Sequence, residues 1–222
     1  MKWTDNGGGD FEQPPVGTHV GRCIRIIDIG TQKGEYQGKV NIRRQVIIAW
    51  ELPTELMTEG DYSGKPFTTS RFYTASLNEK ATLRHDLESW RGRAFSPQEL
   101  MGFDSKNILG KPCMLNLLTN DKGRVKMGGV MALPKGIEVP AQVNPSIFFS
   151  LEPDEFSKEV FDKLSDGYKK LIQSSPEYQE AINPRASKTG SAALRDMEDD
   201  IPFVTASLGN DVIYRKLRWG HE

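Results

Sequence analysis

The sequence predicts a mainly β protein in which five strands form a small, partly open Greek-key barrel, with a helix between the third and fourth strands and further helices after the barrel. Three observations lead to this fold class. β-Branched residues are grouped in short runs that glycines and prolines separate. A helical period appears between the third and fourth of those runs. The segment from residue 183 onward is rich in Pro, Ser and Gly and predicts a disordered tail.

The first three strands are predicted from alternation and turn residues. Residues 1–13 contain three consecutive glycines and predict a flexible arm before the barrel. Residues 16–29 predict strand 1, and the polar, glycine-containing residues 31–38 predict a long connecting loop. Apolar residues at alternate positions predict strand 2 over residues 39–52, and residues 67–75 predict strand 3.

Alternation also assigns a face of the sheet to the side chains of strands 2 and 3. Trp50 and Phe72 lie among apolar partners, so we expect both in the core. Tyr73 stands beside a cation on the side that the pattern marks as outward, and Arg43 is outward on strand 2. Arg44 interrupts the inward face, which indicates a strand end, a bulge or a charge that faces a groove.

A change of period marks the helices. Ser76 and Glu79 form a capping-box signature and leucines follow at helical spacing, so residues 78–90 predict an amphipathic helix. Residues 96–99 predict the start of a second, short helix, because a serine, a proline and a glutamate occur in the order that helix N-termini favour. After residue 152, apolar residues recur at near-helical spacing and predict a helical extension.

The last two strands complete the predicted fold. Residues 111–119 and 124–133 predict a hairpin whose turn, residues 120–123, has the sequence Asn-Asp-Lys-Gly. Five strands with a helix between the third and fourth are the order of the OB-fold, although other small barrels share this order. The predicted organisation is an OB-fold-like domain over residues 14–140, a helical extension over 141–182 and the disordered tail over 183–222.

Charge divides the chain into a basic body and an acidic end. The formal net charge of the 222 residues is -1. Residues 14–137 nevertheless contain 18 Lys and Arg against 12 Asp and Glu, a local charge of +6. Residues 138–222 contain 10 against 15, a local charge of −5. This asymmetry is typical of a protein whose basic body binds a polyanion and whose acidic end can compete with that polyanion for the same surface.

The cations and aromatic residues of the predicted barrel indicate a surface for single-stranded nucleic acid. Proteins of this kind combine cations along the phosphate path with aromatic rings on which bases stack. An OB-fold binds its ligand on the face of strands 2 and 3 and through the first and last hairpin loops. The candidate nucleic-acid-binding residues at these places are Lys33, Tyr36, Lys39, Arg43, Arg44, Arg71, Tyr73, Lys122, Arg124 and Lys126.

No catalytic signature accompanies these residues. The acidic residues of the barrel are spread over different elements and no phosphate-binding glycine loop is present, so we do not expect an enzyme. Cys23 and Cys113 lie in apolar runs without a metal-binding partner, so we expect buried thiols and no metal or other cofactor. The sequence shows no signal peptide and no membrane-spanning stretch, which predicts a cytoplasmic protein.

The tail contains an acidic run that ends in an aromatic residue, Asp-Met-Glu-Asp-Asp-Ile-Pro-Phe over residues 196–203. Such a segment can compete for a basic groove or dock into a partner's pocket, although a solvated acidic linker has the same composition. It resembles the tails of bacterial and phage single-stranded DNA-binding proteins. In the bacterial family the phenylalanine is the last residue, whereas residues 204–222 follow it here. The candidate partner-binding residues are Glu198, Asp199, Asp200, Ile201, Pro202 and Phe203.

Further blocks of the sequence resemble a family of phage-encoded proteins. The blocks are RFYTASL at residues 71–77, the segment 80–93 that ends in Trp-Arg-Gly-Arg, LGKPC at 109–113 and ALPKG at 132–136. With the tail, the resemblance extends over residues 14–203. Members of this family are regarded as OB-fold proteins that bind single-stranded DNA without sequence preference in phage replication and recombination. The resemblance implies the same function here, in the cytoplasm of a host, with replication or recombination proteins as partners of the tail.

Two other functions stay open on the sequence alone. A β-barrel with flexible ends also suits a virion structural or adaptor protein. A recombination-associated nuclease would need clustered carboxylates, which the barrel lacks in its sequence pattern. The sequence leaves a homodimer open and predicts no membrane contact.

Overall fold

A long β hairpin forms the centre of the fold. In this computed structural model, which describes residues 12–36 and 38–183, β1 comprises Gly17–Tyr36 and β2 comprises Lys39–Leu56. Residues 31–36, predicted as part of a loop, are strand: Thr31 pairs with Arg44 and Gly34 pairs with Asn41. The prediction was wrong because backbone pairing with β2 satisfies the polar groups of this segment without any apolar pattern in its side chains.

Four shorter strands complete one sheet. They are β3 (Pro66–Thr74), β4 (Pro112–Thr119), β5 (Val125–Met131) and β6 (Ile147–Phe149). The order across the sheet is β3-β2-β1-β4-β5, with antiparallel pairing throughout, and β6 pairs with β1 in parallel. The prediction of a mainly β protein is confirmed. In the described part of the chain no ladder joins β3 to β5, so the sheet is not closed into a barrel.

Up to residue 183, two short helices lie between β3 and β4 and three lie after β6. They are α1 (Thr82–Arg91), α2 (Pro97–Met101), α3 (Lys158–Asp162), α4 (Asp166–Gln173) and α5 (Pro176–Ile182). The predicted start of α2 is confirmed, since Ser96 and Glu99 form a reciprocal capping box. The Glu99 N–H donates to Ser96 Oγ at 3.3 Å, and the Ser96 N–H donates to a Glu99 carboxylate oxygen at 2.9 Å.

Helix α1 begins later than predicted. Its first residue is Thr82, not residue 78, and no side chain caps it. Ser76 Oγ accepts a hydrogen bond from the Asn78 N–H, and the Asn78 side chain accepts one from the Lys80 N–H, each at 3.1 Å. These local bonds hold residues 76–80 in turns, because short polar side chains compete with the helix for backbone donors.

The inner face of the sheet packs against α1. Trp50 of β2 is 1% exposed and its ring centroid lies 6.1 Å from that of Trp90 of α1, so the predicted core position of Trp50 is confirmed. Cys23 and Cys113 are free thiols in the same core. Burial raises the pKa of Cys23 to about 12, so this thiol stays protonated.

A second core lies on the outer face of the sheet. Ile27 and Ile29 of β1 and Ile47 of β2 are fully buried there beneath residues of β6 and the C-terminal helices, among them Phe149 and Phe161. The described residues from β6 to Asn183 therefore pack on the sheet and belong to one compact unit with it. The Thr31 N–H and Oγ1–H both donate to the Glu177 carboxylate, at 2.8 and 2.5 Å, and attach α5 to β1.

The predicted N-terminal arm falls mostly outside the described residues, and the predicted acidic tail falls entirely outside them. In the described ranges, no helix is both long and apolar enough to cross a membrane.

Candidate nucleic-acid interface

Strand β3 places its aromatic residues on opposite faces. Phe67 and Tyr73 are 5% and 3% exposed and belong to the inner core. Phe72 points to the other face and is 51% exposed. The sequence-based assignment was therefore wrong for both neighbours: Phe72 was expected in the core and Tyr73 on the outer surface. The buried Tyr73 is not available to stack on a base.

Helix α1 supplies the partner that holds Tyr73 inside. The Tyr73 hydroxyl donates to Asp86 Oδ2 at 2.8 Å, and Arg71 Nη1 donates to the same oxygen at 3.0 Å. Burial raises the pKa of Tyr73, and the Asp86 carboxylate raises it further, so the hydroxyl remains a donor. The Arg71 guanidinium lies 5.3 Å from the centroid of the Tyr73 ring and is 30% exposed at its side chain. Arg71 is thus positioned at the edge of the sheet and partly neutralised by Asp86.

Two clefts meet at Arg71 and Phe72 and form what we call the β3 groove. The first, of about 560 Å³, extends from these residues to Arg43 and Lys80. The second, of about 440 Å³, extends from them across the open side of the sheet to Lys126 of β5. The lining residues are Arg43, Ser70, Arg71, Phe72, Tyr73, Thr74, Ser76, Asn78, Lys80, Ala81, Thr82, Leu118, Lys126, Met127 and Gly128.

The β3 groove is cationic. Arg43, Arg71, Lys80 and Lys126 line it, and its described lining contains no Asp or Glu. Phe72, like Arg71, lines both clefts, and half of its surface is exposed. Leu118, which is 46% exposed, adds an apolar surface at the β5 end. An aromatic ring flanked by positive charges is the arrangement that binds a base and its neighbouring phosphates.

Two other candidate cations, Arg44 and Lys33, do not line the β3 groove. Arg44 is not free for phosphate: its guanidinium contacts Asp28 at 2.5 Å and Glu152 at 2.8 Å. The hydrogen bond that Arg44 donates to the Asp28 carboxylate raises the pKa of Arg44 more than burial lowers it. Lys33 lies beside Ile42 and Pro176 in a different cleft. Arg44 and Lys33 therefore do not belong to the β3 groove.

The hairpin between β4 and β5 carries the last candidates. Its turn forms as predicted, with Gly123 at φ 72° and the Asn120 side chain accepting from the Lys122 and Arg124 N–H groups at 2.9 and 3.0 Å. Lys122 and Arg124 are exposed at this turn but do not line the groove. The side chains of Tyr36 and Lys39 lie outside the described residues.

Sequence reasoning missed Phe72 and Lys80. A signal for Phe72 was present, because Phe67 begins the strand as a buried residue and Tyr73 has the same parity. Counting from Phe67 would have turned Phe72 outward. Lys80 was assigned to a predicted helix, whereas it lies in the turns between β3 and α1 that border the groove.

Comparison of the chain with protein-family models and with curated protein sequences gives no match. Within the part of the chain that the structure describes, no three His, Cys, Asp or Glu side chains are grouped as a metal site. The candidate partner-binding residues 198–203 lie outside that part.

Proposed function

We propose that this protein binds single-stranded DNA without sequence preference along the β3 groove and thereby supports phage DNA replication and recombination. Phe72 carries this proposal. A half-exposed aromatic residue in a groove that Arg43, Arg71, Lys80 and Lys126 also line offers a stacking platform and phosphate contacts in one groove.

The connectivity of the sheet supports an OB-fold as the basis of this function. β1 lies between β2 and β4, α1 follows β3, and β3 and β5 stand at the two edges. An OB-fold is a partly open five-stranded barrel that binds oligonucleotides on the face of strands 2 and 3. The β3 groove lies on strands that correspond to this face, and it continues across the open side of the sheet to β5.

A matched pair of aromatic variants tests the proposal. Phe72→Ala removes the ring in the groove, and Tyr62→Ala removes a ring of similar exposure, 59%, outside it. Fluorescence anisotropy with labelled oligo-dT should show Phe72→Ala binding about 5- to 150-fold more weakly, the loss of about 1–3 kcal/mol for one stacked base. Tyr62→Ala should bind like the unmodified protein. Equal affinities for all three proteins would refute the role of the groove.

The same titration separates the competing functions. We expect oligo-dT to bind more tightly than duplex DNA of equal length, because stacking on Phe72 requires unpaired bases. An RNA oligonucleotide of the same length measures the preference between the two nucleic acids. Incubation of labelled DNA with Mg²⁺ tests for cleavage, and a product would favour the nuclease. A virion structural or adaptor protein would show no binding at low salt.

We extend the proposal to the acidic tail, which would compete with DNA for the cationic groove or recruit replication and recombination proteins through residues 198–203. The run at residues 196–203 contains four carboxylates and no Lys or Arg, which supports competition. Deletion of residues 196–222 should tighten oligo-dT binding at low salt and have a smaller effect at high salt, because screening weakens the competition. Unchanged affinity at low salt would argue against competition and leave recruitment as the role of the tail.

A further inference from the structure

A second groove lies on the other side of the connection between β3 and α1, and we call it the acidic groove. Its volume is about 700 Å³, within the range of sites that bind ligands. Ala75, Ser76 and Leu77 of the connection line it. Ser76 also lines the β3 groove, so only this short stretch of chain separates the two.

The floor of the acidic groove is apolar. Ile26, Val46 and Ile48 come from the inner face of the sheet. The other walls come from α1, from the segment between α2 and β4, and from β6. Several of these side chains stay partly accessible. The partly buried apolar residues of the floor and walls are Val46, Leu77, Leu83, Phe103 and Phe148. Apolar surface that a fold leaves accessible in a concave site is available to a ligand.

The rim carries an excess of negative charge. The carboxylates that line it are Asp28, Asp104, Glu152, Asp154 and Glu155. Arg44, the cation among the described lining residues, is already committed to Asp28 and Glu152. Lys106 contacts Glu155 and lies 4.8 Å from the centroid of the Phe148 ring. Asp104 and Asp154 are exposed. The rim therefore attracts cations and repels a phosphate backbone.

We propose that the acidic groove binds a basic, amphipathic peptide segment of a partner protein. Lysine or arginine side chains of the segment would meet the carboxylates of the rim, and its apolar side chains would occupy the floor. This combination of charge complementarity and apolar contact is the usual basis of peptide docking in a groove. The site does not depend on DNA binding by the β3 groove, and its charge excludes DNA as the occupant.

A synthetic peptide in which lysines alternate with leucines and phenylalanines probes the site. Anisotropy of the labelled peptide measures its affinity for the full chain, and a peptide with glutamates in place of the lysines should not bind. Asp104→Asn with Asp154→Lys makes the rim more positive by three charges, and asparagine can still accept the hydrogen bond that Asp104 accepts from the Lys106 N–H. We expect this double variant to bind the lysine peptide at least about tenfold more weakly.

A control with the same change of net charge tests whether the position of the added charges matters. Glu138→Gln with Glu180→Lys also adds three positive charges, at exposed residues that do not line the groove. This control should bind the peptide within about twofold of the unmodified protein. If both double variants lose affinity equally, the peptide responds to net charge, and the proposal fails. Binding that neither double variant changes, as expected for capture by the acidic tail, also overturns it.

A steric variant tests the groove without changing its charge. Gly102 lines the groove, its backbone is extended at φ -174°, and an added Cβ would meet no atom within 4 Å. Gly102→Phe should therefore fold normally and block the peptide. Gly167→Phe is the control. It places the same side chain at another glycine where an added Cβ would meet no atom within 4 Å, and it should not affect binding. Full peptide affinity in Gly102→Phe, with unfolding unchanged in urea, would exclude the groove as the site.

Discussion

The outer face of the sheet has two unlike halves. Over β1 and the neighbouring part of β2 it is apolar and covered, since Ile27, Ile29 and Ile47 are 0% exposed beneath β6 and the C-terminal helices. Over β3 it is polar, and no element between residues 12 and 183 covers it there. The outward side chains of β3 are Thr68, Ser70, Phe72 and Thr74.

This difference shows how to interpret Phe72. Where helices cover the sheet, isoleucines face outward. Where no described residues cover it, the outward residues are short and polar except for one phenylalanine. A single exposed apolar side chain is ordinary on a protein surface. One that lines a groove together with four cations is better explained by a ligand. Changes on the covered half should therefore affect folding, and changes on the uncovered half should affect binding.

The largest effect is expected for Phe67, the buried phenylalanine of the strand that also carries Phe72. Phe67→Ala should lower the free energy of unfolding by about 3–5 kcal/mol, because it leaves a cavity in the inner core. Phe72→Ala should lower it by about 1 kcal/mol or less, since the ring is half exposed. Urea unfolding of both variants gives the comparison. Similar losses would show that Phe72 packs in the core and that β3 is not uncovered.

Gly30 tests the covered half. Its φ is +69°, and an added Cβ would lie 2.5 Å from Ser175 Cβ at the start of α5. Gly30→Val should destabilise the protein by about 2–4 kcal/mol, through backbone strain and displacement of α5. Gly38→Val is the control, because Gly38 has φ +72° but no atom within 4 Å of an added Cβ. It should cost only the strain, about 1–2 kcal/mol. Equal losses in urea would mean that the contact with α5 contributes nothing.

The salt dependence of DNA binding tests which cations face the strand. Lys80→Ala and Lys126→Ala should each reduce the slope of log K against log salt by about 0.7, the loss of one phosphate contact with a single strand. Lys33→Ala should leave the slope unchanged, because Lys33 lies in another cleft beside Pro176. Oligo-dT titrations over a range of NaCl concentrations measure the slopes. A reduced slope for Lys33→Ala alone would mean that the DNA runs along the β1–β2 hairpin near Lys33 and not along the β3 groove.

The smallest effect concerns pH and the covered half. Burial opposes ionisation of Glu177, but hydrogen bonds from Thr31 outweigh it and lower the pKa of this carboxyl below 4.5. Its bonds to β1 therefore stabilise the fold fully above about pH 4.5, and this stabilisation is lost as the pH falls below that value. The drop in unfolding free energy between pH 7 and pH 4 should be smaller in Glu177→Gln. Glu180→Gln, at an exposed residue of the same helix, should behave like the unmodified protein; a reduced drop in this control would show that the effect is not specific to Glu177.

Local signals were sufficient for several elements. The capping box of Ser96 and Glu99 and the turn at residues 120–123 formed as predicted, and Trp50 is in the core. A cap or a turn depends on hydrogen bonds within a few residues, so its sequence is enough to predict it. The start of α1 was missed because Ser76 and Asn78 make equally local bonds that favour turns.

The candidate site was predicted only in part, because distant segments decide which residues face it. Arg43, Arg71 and Lys126 meet in the β3 groove, as clustering of cations on β2, β3 and β5 suggested. Arg44 does not face the β3 groove, because it forms ion pairs with Asp28 of β1 and with Glu152 after β6. The pattern of residues within β2 cannot predict these ion pairs, because both carboxylates belong to other segments of the chain.

The sequence by itself determined the strand-rich class of the fold, the helix after the third strand, the turn before β5 and the basic character of the body, because composition, alternation and short-range hydrogen bonds produce them. Tertiary structure alone decided which face of β3 is buried and which half of the outer face is covered. Asp86 of α1 holds Tyr73 inward and leaves Phe72 outside, and the C-terminal helices bury Ile47. Alternation tells which residues share a face, but only the elements that pack against a face decide whether it becomes core or surface.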